Sequence, residues 1–408
     1  MSVLDGIRFD WRTLDSGARF KLFPQPPVVT GASEPETVAV SLAPGRVLPG
    51  PSDDRMYVRD AIDKPSYYEY PYLPPYEGPR RPDVMPSADG HFDHLEPGSP
   101  AFDAAHMYGT VRRVMDIWEI YLGRELTWHF EDDYDRLELI PWIEWDNAQA
   151  GYGFIETGYM NSDEFGRVPL ALNFDVLAHE FGHTMLYSMI GLPPDDARSS
   201  AYAGFHESAS DTVAIVAALH FDSVIDQLLG RTSGNLFVRN MLNRIGEIST
   251  TKQIRLASNS LRMSDVPDPA TPAQALSYPE LHKVGEPLTG AVFDILVEAY
   301  QELLVGAGLI DTELDALSRR SEQTHTLDDA VQIRFDAAYE RNPEGFRTSL
   351  IEARDYVGAL LARAWSRLSW DLDFVDVGRA LLRSDLELTG GHFHPEMLES
   401  LVWREIGG

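Results

Sequence analysis

The amino-acid sequence predicts an α+β fold with a strand-containing N-terminal half, a central apolar helix and an all-helical C-terminal half. Three patterns favour this class. The first hundred residues are rich in proline, which prevents long helices there. Residues 137–168 alternate short apolar runs with glycines, as strands and turns do. From residue 205 onward, apolar residues recur mostly at helical spacing.

The segment 1–98 is predicted to be a proline- and tyrosine-rich arm or a small β region. Residues 37–42 form a short β-like run within it. The tyrosine-rich run 67–76 is interpreted as packing on the main body, because aromatic residues favour packing over disorder. The alternative is a recognition segment. Ser99 and Pro100 then predict the start of a helix, since a capping residue followed by proline is typical of a helix N-terminus.

The central helix is predicted from about Asp175 to Ile190, after β-like residues at 137–145. Further helices are predicted at 205–220, 222–230, 234–246, 288–305, 326–341, 344–368, 374–384 and 395–406. The expected organisation has three parts. These are the arm at 1–98, an α+β lobe at 99–191 that ends in the central helix, and a helical lobe at 192–408.

The composition limits the kinds of partner. The 408 residues include 64 Asp or Glu and 34 Lys or Arg, which gives a formal net charge of -30 at pH 7. This charge argues against nucleic acid and anionic membranes as partners, since both bind basic surfaces. The sequence has no cysteine, so disulfides and thiolate metal sites are excluded. No signal peptide or membrane-spanning segment is recognised, so a cytoplasmic location is expected by default, with non-classical export as the alternative.

Two histidines in the central helix have metal-ligand spacing. They form the pattern His179-Glu180-x-x-His183. Residues four apart on a helix project from the same face, so both imidazoles can bind one cation while Glu180 reaches a water on it. Zinc suits such nitrogen ligands, and a catalytic zinc site keeps one position open for water or substrate. The alternative interpretation is a buried helix with two structural histidines.

A third protein ligand is required, and its position separates the classes of zinc enzyme. The pattern HExxHxxGxxH is excluded, because Leu186 and Met189 stand where it has glycine and histidine. Glu207 and Asp211 lie four residues apart in an otherwise apolar predicted helix. We expect Glu207 to complete a His2Glu site and Asp211 to hydrogen-bond the far nitrogen of a ligating histidine. The alternative is a solvated acidic helix face. His206 is expected to be a neighbour of the site that does not share the metal, since it lies about 100° around the helix from Glu207.

These motifs resemble those of the thermolysin-like and fungalysin-like zinc peptidases, the gluzincins. The resemblance covers about residues 100–408. Asn147 and Ala148 match the family's edge strand, which binds the substrate backbone by strand addition. His282 opens a His-x-x-Gly-Glu segment similar to one in fungalysins, and residues 381–391 resemble the family's terminal segment. The resemblance implies a zincin-type fold, one zinc ion, a peptide or protein substrate, and substrate binding by Asn147 and Ala148.

Two features depart from the family pattern. Asp175 matches a calcium-binding position, but the partner carboxylate expected eleven residues after Glu207 is replaced by Ala218. Binding of a calcium ion therefore remains an open possibility, while the family's double calcium site is not supported. The family's oxyanion-binding histidine aligns with Glu286, and His282 is the nearby candidate for that catalytic role from a shifted loop.

The predicted function is a zinc-dependent peptidase, in the first instance an endopeptidase. Glu180 is expected to take the proton of the activated water and then donate it to the leaving amine. His282 or Tyr202 is expected to stabilise the oxyanion. Two alternatives remain open. One is a catalytically degenerate relative that serves as a binding or scaffold protein, and the other is a zinc hydrolase of a non-peptide substrate. The sequence leaves the oligomeric state and the cleavage preference undetermined.

Overall fold

The computed structural model describes residues 7–27, 34–162, 166–238, 240–249, 252–324 and 329–407. In these ranges the predicted α+β class is confirmed, with small sheets followed by a helical C-terminal region. The helices are α1 (Thr13–Ser16), α2 (Pro100–Leu122), α3 (Phe174–Ile190), α4 (Ser200–Ala218), α5 (Asp222–Thr232), α6 (Tyr278–Gly306), α7 (Thr312–Thr324), α8 (Asp329–Arg341), α9 (Pro343–Trp365), α10 (Phe374–Thr389) and α11 (His394–Trp403). The strands are β1 (Arg19–Leu22), β2 (Glu36–Ala39), β3 (Met56–Val58), β4 (Leu137–Ile140), β5 (Ala148–Gly151), β6 (Phe154–Thr157), β7 (Tyr159–Ser162), β8 (Gly166–Pro169), β9 (Arg244–Ser249) and β10 (Lys252–Leu256).

The main sheet has four strands in the order β3-β4-β6-β5. β3, β4 and β6 are parallel, and β5 pairs antiparallel with β6. Within the described ranges, β5 has a strand neighbour on one side only, and it packs against α3. Ala148 begins this edge strand and Asn147 directly precedes it. The sheet therefore presents one open edge beside the central helix.

The tyrosine-rich segment before α2 packs on the main sheet around a buried charge. Lys64 is fully buried and forms an ion pair with Glu156 of β6. The rings of Tyr72 and Tyr76 lie 4.5 and 5.7 Å from the Lys64 ammonium, at cation–π distance. Because a buried charge is stable only with such partners, these contacts fix the segment to the sheet.

One hydrophobic cluster extends from Leu14 to Ile406, so side chains from all parts of the chain share a core. The domain boundaries proposed from the sequence stay a prediction. No single helix of the described ranges is long and apolar enough to cross a membrane. The helices α4 and α5 together have the length and apolar composition of a membrane span, but they meet at a bend of 90°.

Capping residues set several helix ends, and Ser99 was predicted from the sequence to be one of them. Ser99 accepts a hydrogen bond from the Phe102 amide at the start of α2. Gly123 then ends that helix in the left-handed conformation, with φ 66°. Gly191 ends α3 with φ 83°.

The predicted helix at 234–246 is wrong. The helix α5 ends before Ser233 and Gly234, whose φ values of 49° and 79° prevent right-handed propagation. The chain then forms the antiparallel hairpin of β9 and β10. Isoleucine-rich residues at 244–254 favour strands through their branched side chains, and their pairing decides the outcome.

The helix α6 begins ten residues before the predicted start at 288. Ser277 and Glu280 form a capping box there, with the Ser277 amide donating to the Glu280 carboxylate at 2.8 Å. Pro287, directly before the predicted start, lies inside the helix. His282 is therefore held on a helix and not on a shifted loop. The helix α7 adds to the predicted set.

Candidate metal centre

The helix α3 presents the two predicted histidines on a buried face. Its start is fixed by Asn173, whose side chain accepts a hydrogen bond from the Val176 amide at 3.2 Å. His179 and Glu180 are both buried, at 6% and 8% exposed. His183 follows one turn later and its side chain is 13% exposed. The face that carries the ligands is thus shielded but reachable by solvent.

The helix α4 supplies the third ligand because it lies unusually close to α3. A Cβ atom on Gly182 would come within 2.8 Å of the Ser210 Cα atom, closer than real Cβ contacts allow. Glycine between Glu180 and His183 is therefore required for this approach. The approach brings Glu207 and Asp211 of α4 to the histidines of α3.

Three side chains converge on one point between α3 and α4. The Nε2 atoms of His179 and His183 are 3.1 Å apart. The Glu207 carboxylate oxygens lie 3.3 Å from His179 Nε2 and 3.8 Å from His183 Nε2. One donor atom from each residue lies within 4.8 Å of the other two. This is the set of ligands predicted from the sequence.

The other nitrogen of each histidine is anchored outside the cluster. His179 Nδ1 lies 2.8 Å from Asp211 Oδ1, and His183 Nδ1 lies 3.2 Å from Ser210 Oγ. A carboxylate can only accept, so His179 Nδ1 donates and its Nε2 carries a lone pair when the ring is neutral. Asp211 thus occupies the outer position that the sequence predicted for it.

Electrostatics keep the third candidate ligand ionised. Burial raises the pKa of Glu207, but the His183 charge and contacts with His179 and His282 reverse this effect. The net result is a pKa well below the usual range of a glutamate. Glu207 is therefore a carboxylate, the form that binds metals.

This donor set fits a zinc ion. The set consists of two imidazole rings, whose far nitrogens are held by oxygen partners, and one buried carboxylate. This matches the His2Glu composition of catalytic zinc sites. Two lone pairs and a carboxylate at such short range repel each other unless a proton or a cation lies between them. Binding of a cation by His179, His183 and Glu207 would remove this repulsion.

His282 reaches the centre by a different contact from the one expected. Its Nδ1 atom lies 2.8 Å from Glu207 Oε2, at ion-pair distance. The close packing of α4 and α6 allows this, since a Cβ atom on Gly285 would lie 2.2 Å from the Gly204 carbonyl oxygen. His282 therefore holds the third candidate ligand. An oxyanion-binding role for it stays a prediction.

Tyr202 does not lie where an oxyanion-binding residue must. Its side chain is fully buried, and its hydroxyl donates to the Gly191 carbonyl oxygen at 2.8 Å. The prediction that Tyr202 stabilises the oxyanion is therefore wrong. Its hydroxyl instead joins the start of α4 to the end of α3.

Asp175, the residue at the calcium-like position, lines a small cavity of about 30 Å³. The same cavity is lined by Ala218, which replaces the expected carboxylate, and by Arg244. A cation here would face a guanidinium, so the surroundings of Asp175 do not favour calcium.

The sequence prediction missed an aromatic cluster beside His183, which we call the ring cluster: Tyr187, Tyr202, His206 and His129. Tyr187 lies 4.6 Å from His206 and 5.2 Å from His129, measured between ring centroids. His206 stacks on His183 at 5.8 Å. The spacing of His179, His183 and Tyr187, four residues apart each time, was the available signal for Tyr187.

Burial keeps the histidines of the ring cluster neutral. Burial, followed by the charges of His183 and Arg198, lowers the pKa of His206 well below its usual value. Burial also lowers the pKa of His129 to about 4. For Tyr187, burial raises the pKa and the Arg198 charge opposes that shift. His206 thus supports His183 by stacking, as the neighbour it was predicted to be.

Comparisons with known proteins add a distant structural likeness. No protein-family model matches the chain, and no curated protein matches it. A solved structure of the precursor of protealysin, a metalloproteinase from Serratia proteamaculans, is similar over 70% of this chain and 85% of that chain. The two are 15% identical, with a TM-score of 0.37. A likeness at this distance assigns neither a family nor an activity to this chain.

Proposed function

We propose that this protein is a zinc-dependent peptidase. The observation that carries the proposal is the convergence of His179, His183 and Glu207, with the far nitrogen of each histidine held by a separate oxygen partner. The buried His106 of α2, by contrast, uses both ring nitrogens for hydrogen bonds to backbone groups. In the candidate centre, Nε2 of each ring is directed at the other ligands, which is typical of a metal site.

The residues of the centre have different proposed roles in the reaction. When bound, zinc would polarise a carbonyl and make a water more acidic. Glu180 follows His179 on α3 and serves as the general base that takes the water proton and returns it to the leaving amine. Asp211 and Ser210 orient the two imidazoles, and His282 orients the Glu207 carboxylate.

The edge strand β5 favours a peptide as the substrate. Its open side lies next to α3, and an extended peptide can pair with such an edge through main-chain hydrogen bonds. Asn147 and Ala148, at the start of this strand, are the residues that we propose align the substrate backbone. This pairing reads main-chain groups, so it accepts many side chains.

The test compares Glu180→Gln with wild type after zinc loading. We expect both proteins to bind about one zinc ion and wild type to cleave a mixed peptide library. The variant should be slower by about 10²- to 10⁴-fold, because the general base is removed while the ligands remain. Glu399→Gln makes the same change at an exposed glutamate on α11 and should cleave at the wild-type rate.

The outcomes separate the alternatives. Full zinc content without cleavage by wild type would contradict the peptidase and favour a binding or scaffold protein, or a hydrolase of another substrate. A panel of ester and amide substrates then distinguishes these two. Failure of wild type to bind zinc after reconstitution would overturn the metal site itself.

A further inference from the structure

A second group of acidic and imidazole side chains lies in the C-terminal region, where α11 packs against α6 and α10. We call it the C-terminal cluster, and its members are Glu302 of α6, Asp385 of α10, and His394 and Glu396 of α11. Glu302 follows His282 by twenty residues on the same helix, which is about 30 Å along the helix axis. The C-terminal cluster is therefore separate from the metal centre.

Asp385 is the most deeply buried member of the C-terminal cluster, with its side chain 0% exposed. Its Oδ1 atom accepts hydrogen bonds from the Tyr356 hydroxyl at 3.0 Å and from the Thr389 hydroxyl at 2.6 Å. Its Oδ2 atom is also shielded from solvent, and no group in the described ranges hydrogen-bonds it. A buried carboxylate oxygen has lost its hydration, so leaving it without a partner destabilises the fold.

His394 Nδ1 faces this oxygen and is buried in the same way. The two atoms are 3.9 Å apart, which is too long for a hydrogen bond, and in the described part of the chain Nδ1 has no other hydrogen-bond partner. Zinc–nitrogen and zinc–oxygen bonds measure about 2.0–2.2 Å, so one ion can contact two atoms at this separation. The His394 side chain is 33% exposed, so an ion can reach Nδ1 from solvent.

Glu302 and Glu396 add two more buried carboxylate oxygens. Oε2 of each has no hydrogen-bond partner among the described residues. Glu396 lies in the first turn of α11, two residues after His394. Burial raises the pKa of Glu302, the His392 charge opposes this shift, and the Glu396 charge adds to it. A cation near these oxygens would offset the repulsion between the two carboxylates.

Short contacts connect Glu302 to Asp385 through the turn between α10 and α11. The Thr389 hydroxyl, which donates to Asp385 Oδ1, accepts a hydrogen bond from the His392 amide at 2.9 Å. The His392 ring then reaches α6, where its Nε2 atom lies 3.0 Å from Glu302 Oε1. The turn thus fixes both carboxylates relative to each other, and His394 follows it directly.

The charges around the C-terminal cluster favour a cation. No lysine or arginine of the described ranges forms an ion pair with Glu302, Asp385 or Glu396, and Arg319, whose charge acts on Glu302, already contacts two other carboxylates. The C-terminus of α10 and the N-terminus of α11 meet here, so the partial charges of the two helix ends oppose each other. The carboxylates therefore determine the local charge.

We propose that Asp385 and His394, completed by the Glu302 and Glu396 carboxylates, form a second site for a divalent transition-metal ion such as zinc. An imidazole ligand favours such an ion over calcium and magnesium, which take oxygen ligands. The cluster is looser than the metal centre, in which donor atoms of three residues lie within 4.8 Å of one another. We therefore expect weaker zinc binding here than at the metal centre. The site would join α6, α10 and α11, and it does not depend on the proposed peptidase activity.

The first measurement is the zinc content at two free zinc concentrations. The protein is dialysed against buffered zinc, and the bound metal is quantified by atomic emission. Wild type should bind about one ion at low free zinc and about two at saturating zinc, because the C-terminal cluster fills second. His183→Ala weakens the metal centre and should leave the second ion bound. Excess calcium should not displace the second ion; displacement would overturn its assignment to a transition metal.

Two variants assign the second ion to the C-terminal cluster. His394→Gln removes the nitrogen ligand at a partly exposed position. Asp385→Asn keeps Oδ1 for Tyr356 and Thr389 and removes the charge at Oδ2. Each should lower the zinc affinity of the second site by more than the roughly 100-fold typical of outer partners, because a ligand itself is changed. Circular dichroism should show the wild-type fold for both.

His94→Gln is the matched control, since it removes an exposed histidine from the loop before α2. It should bind the second ion as tightly as wild type. Loss of the second ion in this control would mean that histidines outside the cluster hold it, and would overturn the site.

Thermal unfolding provides a readout that is independent of catalysis. In His183→Ala, saturating zinc should raise the midpoint of unfolding, because a ligand of the folded state stabilises that state. The additional change His394→Gln should abolish this rise. Binding of only one ion by wild type at saturating zinc would overturn the inference and favour a water between Oδ2 and Nδ1. A second ion that persists in both His394→Gln and Asp385→Asn would overturn it as well.

Discussion

The metal centre and the helix α2 both contain buried histidines, but these histidines use their ring nitrogens differently. His106 on α2 is fully buried and satisfies both nitrogens with backbone groups. Its Nδ1 donates to the Ala171 carbonyl oxygen at 2.8 Å, and its Nε2 accepts from the Phe23 amide at 2.9 Å. His179 and His183 are anchored by Nδ1 to Asp211 and Ser210, and their Nε2 atoms face each other at 3.1 Å.

This difference separates a structural histidine from a candidate ligand. Burial does not distinguish them, since His106 and His179 are 0% and 6% exposed. The distinguishing property is a ring nitrogen that faces the lone-pair atoms of other side chains, as Nε2 of His179 faces His183 Nε2 and Glu207, and not a backbone N–H group. His106 connects the N-terminal segment to the turn before α3, whereas His179 and His183, together with Glu207, form a group that could hold a metal ion.

The largest expected effect comes from removing a candidate ligand, and it is compared with the removal of a structural histidine. His183→Ala should lower zinc affinity by more than the roughly 100-fold typical of outer partners, because a ligand itself is removed. His106→Gln should keep zinc affinity and lower stability, since Phe23 and Ala171 lose their buried partner at about 1–3 kcal/mol per unsatisfied group. Zinc titration with a competing chelator and chemical denaturation measure the two quantities. Retained zinc affinity in His183→Ala would contradict the assignment of the centre.

A smaller effect is expected from the outer partner of His179. Asp211→Asn keeps the shape and the hydrogen bond but removes the charge that makes the imidazole more basic. Zinc affinity should fall by about 10- to 100-fold, with the fold unchanged by circular dichroism. An unchanged zinc dissociation constant would mean that Asp211 only packs against the ring.

The smallest expected effect per step is a pH dependence carried by His106, which amounts to at most about 1.4 kcal/mol per pH unit. Burial lowers the pKa of His106 to about 4, against about 6.5 when unfolded. The unfolded chain therefore binds a proton at higher pH than the folded chain. The contribution of His106 to the free energy of unfolding is present in full above about pH 6.5. It falls as the pH drops toward 4, by about 3 kcal/mol in total.

The measurement compares the free energy of unfolding of wild type and His106→Gln between pH 4 and 8. Other buried histidines, such as His129, contribute equally to both proteins and cancel in the difference. The two curves should converge as the pH falls. Parallel curves would show that His106 is protonated at the same pH in the folded and unfolded chain.

Local rules predicted the elements that end on strong capping residues. Ser99 and Gly123 bound α2, and Gly191 ends α3, as their side chains and φ angles dictate. The rules failed where tertiary pairing or an internal proline decided the outcome. Residues 244–249 form a strand through pairing with β10, and α6 continues through Pro287 because the capping box at Ser277 starts it earlier.

The sequence by itself determined the candidate ligands and the outer carboxylate. His179 and His183, like Glu207 and Asp211, are four residues apart, and helical geometry alone places each pair on one face. Two acidic residues in an otherwise apolar helix need partners when they are buried, and the two histidines are suitable partners. The residue pattern therefore links the two helices.

Tertiary structure alone decided what surrounds that centre. The close approach at Gly182, the contact of His282 with Glu207 and the bond of Tyr202 to Gly191 depend on how α3, α4 and α6 pack. Tyr187 lies on α3, and spacing along the chain does not predict its contacts with His206 of α4 and with His129. Packing between elements fixes such distances, and packing is not encoded in the period of any one helix.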